Sequence, residues 1–532
     1  MRAVRISPPL LAVAALGVLL RAVPLLMPGG LTGLQEYDDG VYYAASVALL
    51  HGQLPYAHQA FLQPPGIVLL LLPFAAFGTV AGPATGMAAA RLAELMAAGV
   101  NTLLVASLAY RAGLADLGQR SPAGASSGPD REGYGRVAAL LAASTYAVAG
   151  AAVVAAHTVL LEPILTLFVL LAARHLLPRT GGVTTRGVGA AGLLLAGGTA
   201  VKLWGLLALV AAACLLLMAG GFRPAFRLIF AYAGALVALL LPFAIAAPRG
   251  MVRDLVTAQL SRPQSGVVGV PARLSAITGW SGLRAVLPVL PAAGGWLAGL
   301  LLAAFLVHGA LSQLPTVRLF GLQGALFLVA FLLAGSYFIH YGEVLVPSVA
   351  ILLGLLAVRV GKAHSSDRRL PRAAVATALA GMLVLSAGFD AVSDSTGQPD
   401  VAELVARVVP PNACLFSDAP SATIAAGRLW NAGCPDVVDP RGTALVLADG
   451  HPPNDLYPAG FQHLRDWQVA ARSRLAAATY ALLLGAPESH VEWDAGTRAY
   501  FIAHYVRRAA LGGPWRVELW QRVDRAYGPR SY

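Results

Sequence analysis

Of the 532 residues, 57% are hydrophobic and only 12% are charged, and the mean hydropathy is +0.67, whereas a soluble globular chain carries about 25% charged residues. This excludes a soluble enzyme and indicates a polytopic membrane protein. The net charge of +12 would suit nucleic acid, but the arginines lie in short clusters between apolar runs, as topology determinants do, so no nucleic-acid partner is expected. The three cysteines, Cys214, Cys414 and Cys434, have no metal-ligand spacing.

The chain opens with Arg2 and Arg5, and residues 8–28 are apolar over about the 20 residues that a bilayer span needs. No small-residue cleavage site follows, so the segment reads as an anchor with its N-terminus in the cytoplasm. The stretch 37–65 then reads YDDGVYYAASVALLHGQLPYAHQAFLQPP, with adjacent carboxylates, two histidines, four tyrosines and three prolines. No lysine or arginine occurs from residue 22 to residue 90. Val41, Ala44, Ala45, Ala48 and Leu49 recur at helical spacing, which predicts a short helix at the membrane surface. Asp38 or Asp39 would cap its start, and Gly52 and Pro55 would stop it.

Residues 64–78 are apolar but short and contain Pro73, so they read as interfacial rather than spanning. Residues 85–110 then run inward, and the arginine-bearing loop 111–136 falls in the cytoplasm, as the positive-inside rule asks. The alternation continues with spans near 137–156, 163–178, 187–201, 203–219, 228–247, 285–308, 317–335, 343–360 and 373–390. With the first two this makes about eleven. The loop 248–284 breaks the charge pattern with Arg249, Arg253, Arg262, Arg273 and Arg284, and reads either as a seat for an anionic partner or as a solvated connector.

From about residue 391 the chain takes on the character of a soluble protein. Strand-like runs at 413–417, 444–449, 479–485 and 515–522 interleave with helical patterns such as 461–478, which indicates a small α/β domain outside the membrane. An oxidising compartment would there permit a Cys414–Cys434 disulfide, two buried thiols being the alternative.

Several ionisable residues stand at the ends of apolar runs: Arg21, Arg91, Glu162, Lys202 within GGTAVKLWG, and His340, Tyr341 and Glu343 within SYFIHYGEVLVP. The predicted topology brings them to the outer side. Each costs about 2.5–3.5 kcal/mol at membrane depth, so each is a functional candidate, although snorkelling accounts equally for Arg91 and Lys202 taken singly. An external carboxylate can take a proton from an attacking hydroxyl, and cations can stabilise charge on a departing phosphate. The P-loop pattern and a large cytoplasmic domain are both missing. The activated substrate is therefore expected to arrive through the membrane, as a sugar on a polyprenyl phosphate.

Asp38-Asp39-Gly40-Val41-Tyr42, followed by Gln63-Pro64-Pro65 and Ala90-Arg91-Leu92, resembles the first outer loop of GT-C glycosyltransferases. The nearest likeness is the family 39 protein mannosyltransferase and aminoarabinose transferase group. The likeness covers residues 8–390 in layout and about the first hundred in specific motifs, with weaker matches at Thr199-Ala200-Val201-Lys202 and from His340-Tyr341 to Pro347. It implies inverting transfer from a lipid-phosphate-linked sugar, with Asp38 as the base, Asp39 as the second acid and Arg91 as the loop-facing arginine. Donor-phosphate or substrate contacts would come from Arg91, Lys202, His340, Tyr341, Gln63 and Glu162. The chain departs from the pattern in two places: the second acid is Asp where Glu is usual, and Gln63 stands where a His or Lys often precedes Pro-Pro.

The expected protein is a polytopic α-helical membrane protein with a GT-C-like domain (1–390, catalytic outer loop 29–85) and a C-terminal extracytoplasmic α/β domain (391–532). It would sit in the plasma (inner) membrane and move a hexose or pentose from a polyprenyl-phosphate donor to a glycan, lipid or protein acceptor. No cofactor is firmly implied, and a divalent metal is left open. The rival reading is a transporter or flippase of a lipid-linked saccharide, which predicts inverted repeats that the spans do not evidently show. Cysteines introduced singly at Ser126 and Ser395 test the topology. An impermeant thiol reagent should label only position 395 in intact cells, and labelling at 126 would mean that residues 64–78 cross the membrane.

Overall fold

The computed structural model describes residues 7–120, 129–177, 183–260, 262, 265–363, 398–430, 434, 438–448, 460–485, 492–513 and 516–523. The chain divides into two compact units, one of Met1–Val23, Ala93–Leu239 and Ser265–Asp394, the other of Pro24–Leu92, Leu240–Gln264 and Ser395–Tyr532.

Among the described residues four helices are long and apolar enough to cross a membrane: Pro8–Leu26, Pro83–Leu114, Phe222–Ala246 and Pro315–Leu333. Shorter apolar helices lie at Gly66–Ala81, Gly205–Met218, Gly294–Ala310 and Val346–Arg359. Three expected spans are redrawn. Residues 137–156 are two helices, Pro129–Val148 and Gly150–Ala155, separated where Ala149 turns extended. Residues 285–308 become a short Trp280–Val286 helix and a separate Gly294–Ala310 helix. The segment 203–219 is helical only from Gly205, because Lys202 leaves the helical conformation. Much of the expected loop 111–136 is helix, since one helix runs Pro83–Arg120 and the next starts at Pro129. The expected span 373–390 lies outside the described residues.

Two arginines explain how the helical unit tolerates its irregular backbone. A helix break frees carbonyls that must find donors, and the fully buried Arg21 supplies them. It donates to the carbonyls of Tyr146, Ala147 and Ala152 around the break, and to Gly17. Arg273 is likewise taken up by Phe331, Leu332, Ala334 and Gly335 at the end of the Pro315–Leu333 helix. It therefore serves the backbone rather than an anionic partner of the loop 248–284. That loop itself is largely coiled into short helices, Pro248–Val252, Arg253–Thr257, Val270–Ile277 and Trp280–Val286.

In the second unit the expected short helix spans Tyr37–Leu50. Glu36, not an aspartate, occupies the N-cap position. Asp38 and Asp39 sit in the first turn, where negative charge complements the helix dipole. His51 ends the helix and Gly52 follows at φ +78°, a conformation glycine adopts without a Cβ penalty. The adjoining Gly66–Ala81 helix receives the Tyr43 hydroxyl on the carbonyl of Phe74.

The tail supplies four strands: β1 (Leu415–Ser417), β2 (Tyr480–Leu484), β3 (Tyr505–Leu511) and β4 (Val517–Arg522). They lie in the order β1-β2-β4-β3, with β1 and β2 parallel and the other pairs antiparallel. β2 is buried throughout, as its unbroken YALLL run requires. Its Tyr480, Leu482 and Leu484 enter a core with Val405, Ala422 and Leu34. Its Ala481 and Leu483 enter another with Trp467, Phe501 and Leu62. Leu34 and Leu62, from the segment around the acidic stretch, are thus core residues of the tail.

Residues 444–447 of the strand-like run 444–449 are instead part of the Pro440–Leu447 helix, which Asp439 caps by accepting from the Gly442 amide at 2.7 Å. A short apolar run does not by itself distinguish the two conformations, whereas Asp-Pro ahead of it is a helix-start signal. Cys414 and Cys434 form a disulfide, and Cys214 is a free thiol.

A Cβ on Gly40 would stand 2.4 Å from the Ser421 backbone nitrogen and 2.7 Å from its Cα. The Tyr37–Leu50 helix and the Pro420–Ala425 helix thus meet at a separation that glycine permits. Gly40→Ala is expected to lower stability by about 1–3 kcal/mol. Thermal unfolding of the purified protein checks this, and an unchanged midpoint would refute the close packing.

Candidate active site

The acidic stretch separates its two aspartates by geometry. Consecutive residues of a helix point about 100° apart, and here one carboxylate turns inward and the other toward a cleft. Asp39 is fully buried, and its Oδ2 accepts from Arg91 Nη2 at 2.7 Å. The other terminal nitrogen of Arg91 donates to the carbonyls of Leu31 at 2.8 Å, Gly33 at 2.9 Å and Gly30 at 3.3 Å. One guanidinium thus ties the chain leading into the acidic turn to the turn itself. Removing one partner of such a buried pair costs about 3–5 kcal/mol.

Asp38 is half-buried and lines a cleft with Tyr37, Gln63, Arg262, Asp439 and Arg441. The Tyr37 hydroxyl donates to Asp439 Oδ1 at 2.8 Å and accepts from the Arg441 amide at 3.0 Å, so residues 402 apart in sequence hold each other. Burial pushes the Asp439 carboxyl up to about 6 against the opposing hydrogen bonds from Gly442 and Tyr37, with the Asp38 charge adding to the rise and Arg262 resisting it. Burial, then the charges of Asp38 and Asp39, also push Glu36 up to about 8.

The other unit holds a second cluster. Glu162 opens the Glu162–Leu176 helix, and Lys202 follows the Thr185–Val201 helix in extended conformation. The two side chains form a buried ion pair, and His340 Nε2 stands 3.9 Å from Glu162 Oε1. The lysine ammonium also lies 3.8 Å from the centre of the Tyr341 ring and 5.0 Å from that of Trp204. Its charge is held by a carboxylate and two aromatic faces. Nearby, Glu343 accepts from the hydroxyls of Tyr146 and Thr166.

The structure thus joins Asp39 to Arg91, joins Lys202 to Glu162, His340 and Tyr341, and sets Asp38 with Gln63 in the cleft. Sequence reading did not find Glu36, Tyr37, Asp439 or Arg441. The helix-start signal at Asp439-Pro440 was the available clue to the last two. Among the described residues no group of three or more His, Cys, Asp and Glu side chains is arranged to hold a metal ion.

No family model and no curated protein matches the chain. Solved structures do. ArnT from Cupriavidus metallidurans, determined bound to undecaprenyl phosphate, superposes with a TM-score of 0.57 over 98% of this chain and 99% of that one, at 15% identity. The apo oligosaccharyltransferase of Archaeoglobus fulgidus gives a TM-score of 0.51 over 89% of this chain and 69% of that one, at 12% identity. Both neighbours are GT-C superfamily members. The chain has the GT-C fold. The first likeness takes in 98% of the residues, so the tail sheet falls within the GT-C match together with the apolar helices.

Asp439 offers a test of the cleft as described. Its folded value near 6 exceeds the usual aspartate value of about 3.9, so the folded state holds the proton more tightly. The stability this contributes is complete below about pH 4 and is lost as pH rises through about 6. Asp439→Asn keeps an acceptor for Gly442 and Tyr37 but carries no charge. The variant should therefore match the wild type at pH 4 and exceed it by about 2–3 kcal/mol at pH 8. Thermal unfolding followed across that range checks the sign, and a variant weakened equally at every pH would contradict it.

Proposed function

We propose that the protein is a membrane glycosyltransferase that moves a sugar from a polyprenyl-phosphate donor to a hydroxyl acceptor outside the cytoplasm. The observation that carries the reading is the division of labour in the acidic pair: Asp39 is consumed by Arg91, while Asp38 faces a cleft. The GT-C fold supports it, as does a neighbour determined with undecaprenyl phosphate. In the transfer, the acceptor oxygen forms a bond to the anomeric carbon while its proton passes to Asp38. The bond from that carbon to the phosphate oxygen breaks, and the polyprenyl phosphate leaves with the electron pair. The anomeric centre inverts, because attack comes from the face opposite the leaving group.

Asp39 and Arg91 position the acidic turn, and Gln63 contacts substrate from the cleft wall. Lys202, with His340 and Tyr341 beside it, is assigned to the donor phosphate, where a fixed cation favours the charge that grows as the sugar departs. Glu162 holds that lysine in place until an anion competes for it. In this reading the chain is a multi-pass protein of the inner membrane with a cytoplasmic N-terminus and an external tail.

Purified protein supplied with a panel of undecaprenyl-phosphate sugars tests the reading. Asp38→Asn should lower kcat by at least about 100-fold with donor binding retained, and Asp39→Asn should cost less activity. Wild-type turnover in Asp38→Asn would remove Asp38 from the mechanism. Lys202→Met alone strands the Glu162 carboxylate, so the informative variant is Lys202→Met with Glu162→Gln. It should lower kcat/KM strongly, while Lys202→Arg keeps part of the activity because the charge survives in another shape. If the double variant transfers sugar at the wild-type rate, the phosphate is held elsewhere.

A further inference from the structure

The cleft at Asp38 is built from segments far apart in the chain. Asp38 and Gln63 come from the first outer loop, Arg262 from the 240–264 segment, and Asp439 and Arg441 from the tail. Asp439 is occupied as a cap, since its Oδ1 accepts from both Tyr37 and Gly442. The Arg441 main chain is fixed by its amide on the Tyr37 hydroxyl. Its guanidinium is not fixed in this way. It lines the cleft half-buried, and among the described residues it makes no ion pair or side-chain hydrogen bond. A guanidinium is always charged and presents five donors in a planar fork that matches phosphate and carboxylate. Placed in one cleft with a second arginine and the proposed base, it is suited to recognising an anion.

We infer that this cleft is the acceptor subsite and that Arg441, assisted by Arg262, selects acceptors bearing a phosphate or carboxylate group near the hydroxyl that is glycosylated. The inference rests on the transfer reading of Asp38. In an inverting displacement the base and the leaving phosphate lie on opposite faces of the sugar. An anion bound beside the base therefore belongs to the acceptor and not to the donor. The tail then has a function of its own: its Pro440–Leu447 helix carries the selecting side chain at its second residue.

The test uses the full-length protein in detergent. Glycerol 1-phosphate and glucuronate serve as anionic probes, glycerol and glucose as neutral ones, and undecaprenyl phosphate as the donor-side control. Titration should show the anionic probes binding at least tenfold more tightly than the neutral ones. Arg441→Gln and Arg262→Gln should each erase that preference, and Arg441→Lys should keep part of it. Equal binding of charged and neutral probes by the wild type overturns the inference. So does a loss of affinity in Arg441→Gln that falls on undecaprenyl phosphate, which would make the anion the donor's. In turnover, Arg441→Gln should raise KM for a phosphorylated acceptor at least tenfold, with a smaller change in kcat. An equal loss with neutral acceptors would reduce Arg441 to a structural part. A wild type that releases no sugar from any polyprenyl-phosphate donor sinks the transferase reading and the acceptor assignment with it. Turnover without anion preference sinks the subsite alone.

Discussion

Arg91 and Asp39 set the terms for the acidic loop. A buried guanidinium and a buried carboxylate are tolerated best as a pair, and three backbone carbonyls accept from the guanidinium's other terminal nitrogen here. Because the pair is inward, the first turn of the Tyr37–Leu50 helix has a fixed rotation, and that rotation is what presents Asp38 to the cleft. A pair of adjacent acids on a helix cannot both face one substrate. The fold uses one as an anchor and leaves the other facing the cleft.

The same economy appears among the other buried charges. Arg21 and Arg273 satisfy carbonyls released where helices break or end. Lys202 is balanced by Glu162 and by aromatic faces. These three cations therefore fall into two chemical kinds. Arginines whose donors all go to backbone oxygen hold the fold. The lysine instead meets a side-chain carboxylate and two aromatic rings.

Much of this was legible in the sequence. The acidic pair stood out because carboxylates, tyrosines and prolines do not belong on a lipid-facing helix, and the motif likeness to GT-C enzymes agrees with the fold found. Lys202 stood out because GGTAVKLWG interrupts an apolar run. What stayed hidden depended on long-range contact. The helix break at Ala149 is marked in the sequence only by the Gly150 that follows it, and the structure shows it held by Arg21, more than a hundred residues earlier in the chain. The run 444–449 read as a strand because its apolar residues outweighed the Asp-Pro start signal before it. Asp439 and Arg441 gain their meaning only from Tyr37, and no local pattern links positions separated by 402 residues.

That separation bears on how the protein is made. During synthesis the acidic turn emerges with the first few dozen residues, whereas the Asp439 that grips Tyr37 is among the last hundred. Until the tail arrives, the turn lacks the far wall of its cleft, and Leu34 and Leu62 lack the cores that bury them. A nascent or truncated chain would present the acidic turn with its cleft unfinished and two apolar side chains unburied. Completion of the polypeptide thus completes the cleft, and copies that end before the Pro440–Leu447 helix lack its far wall.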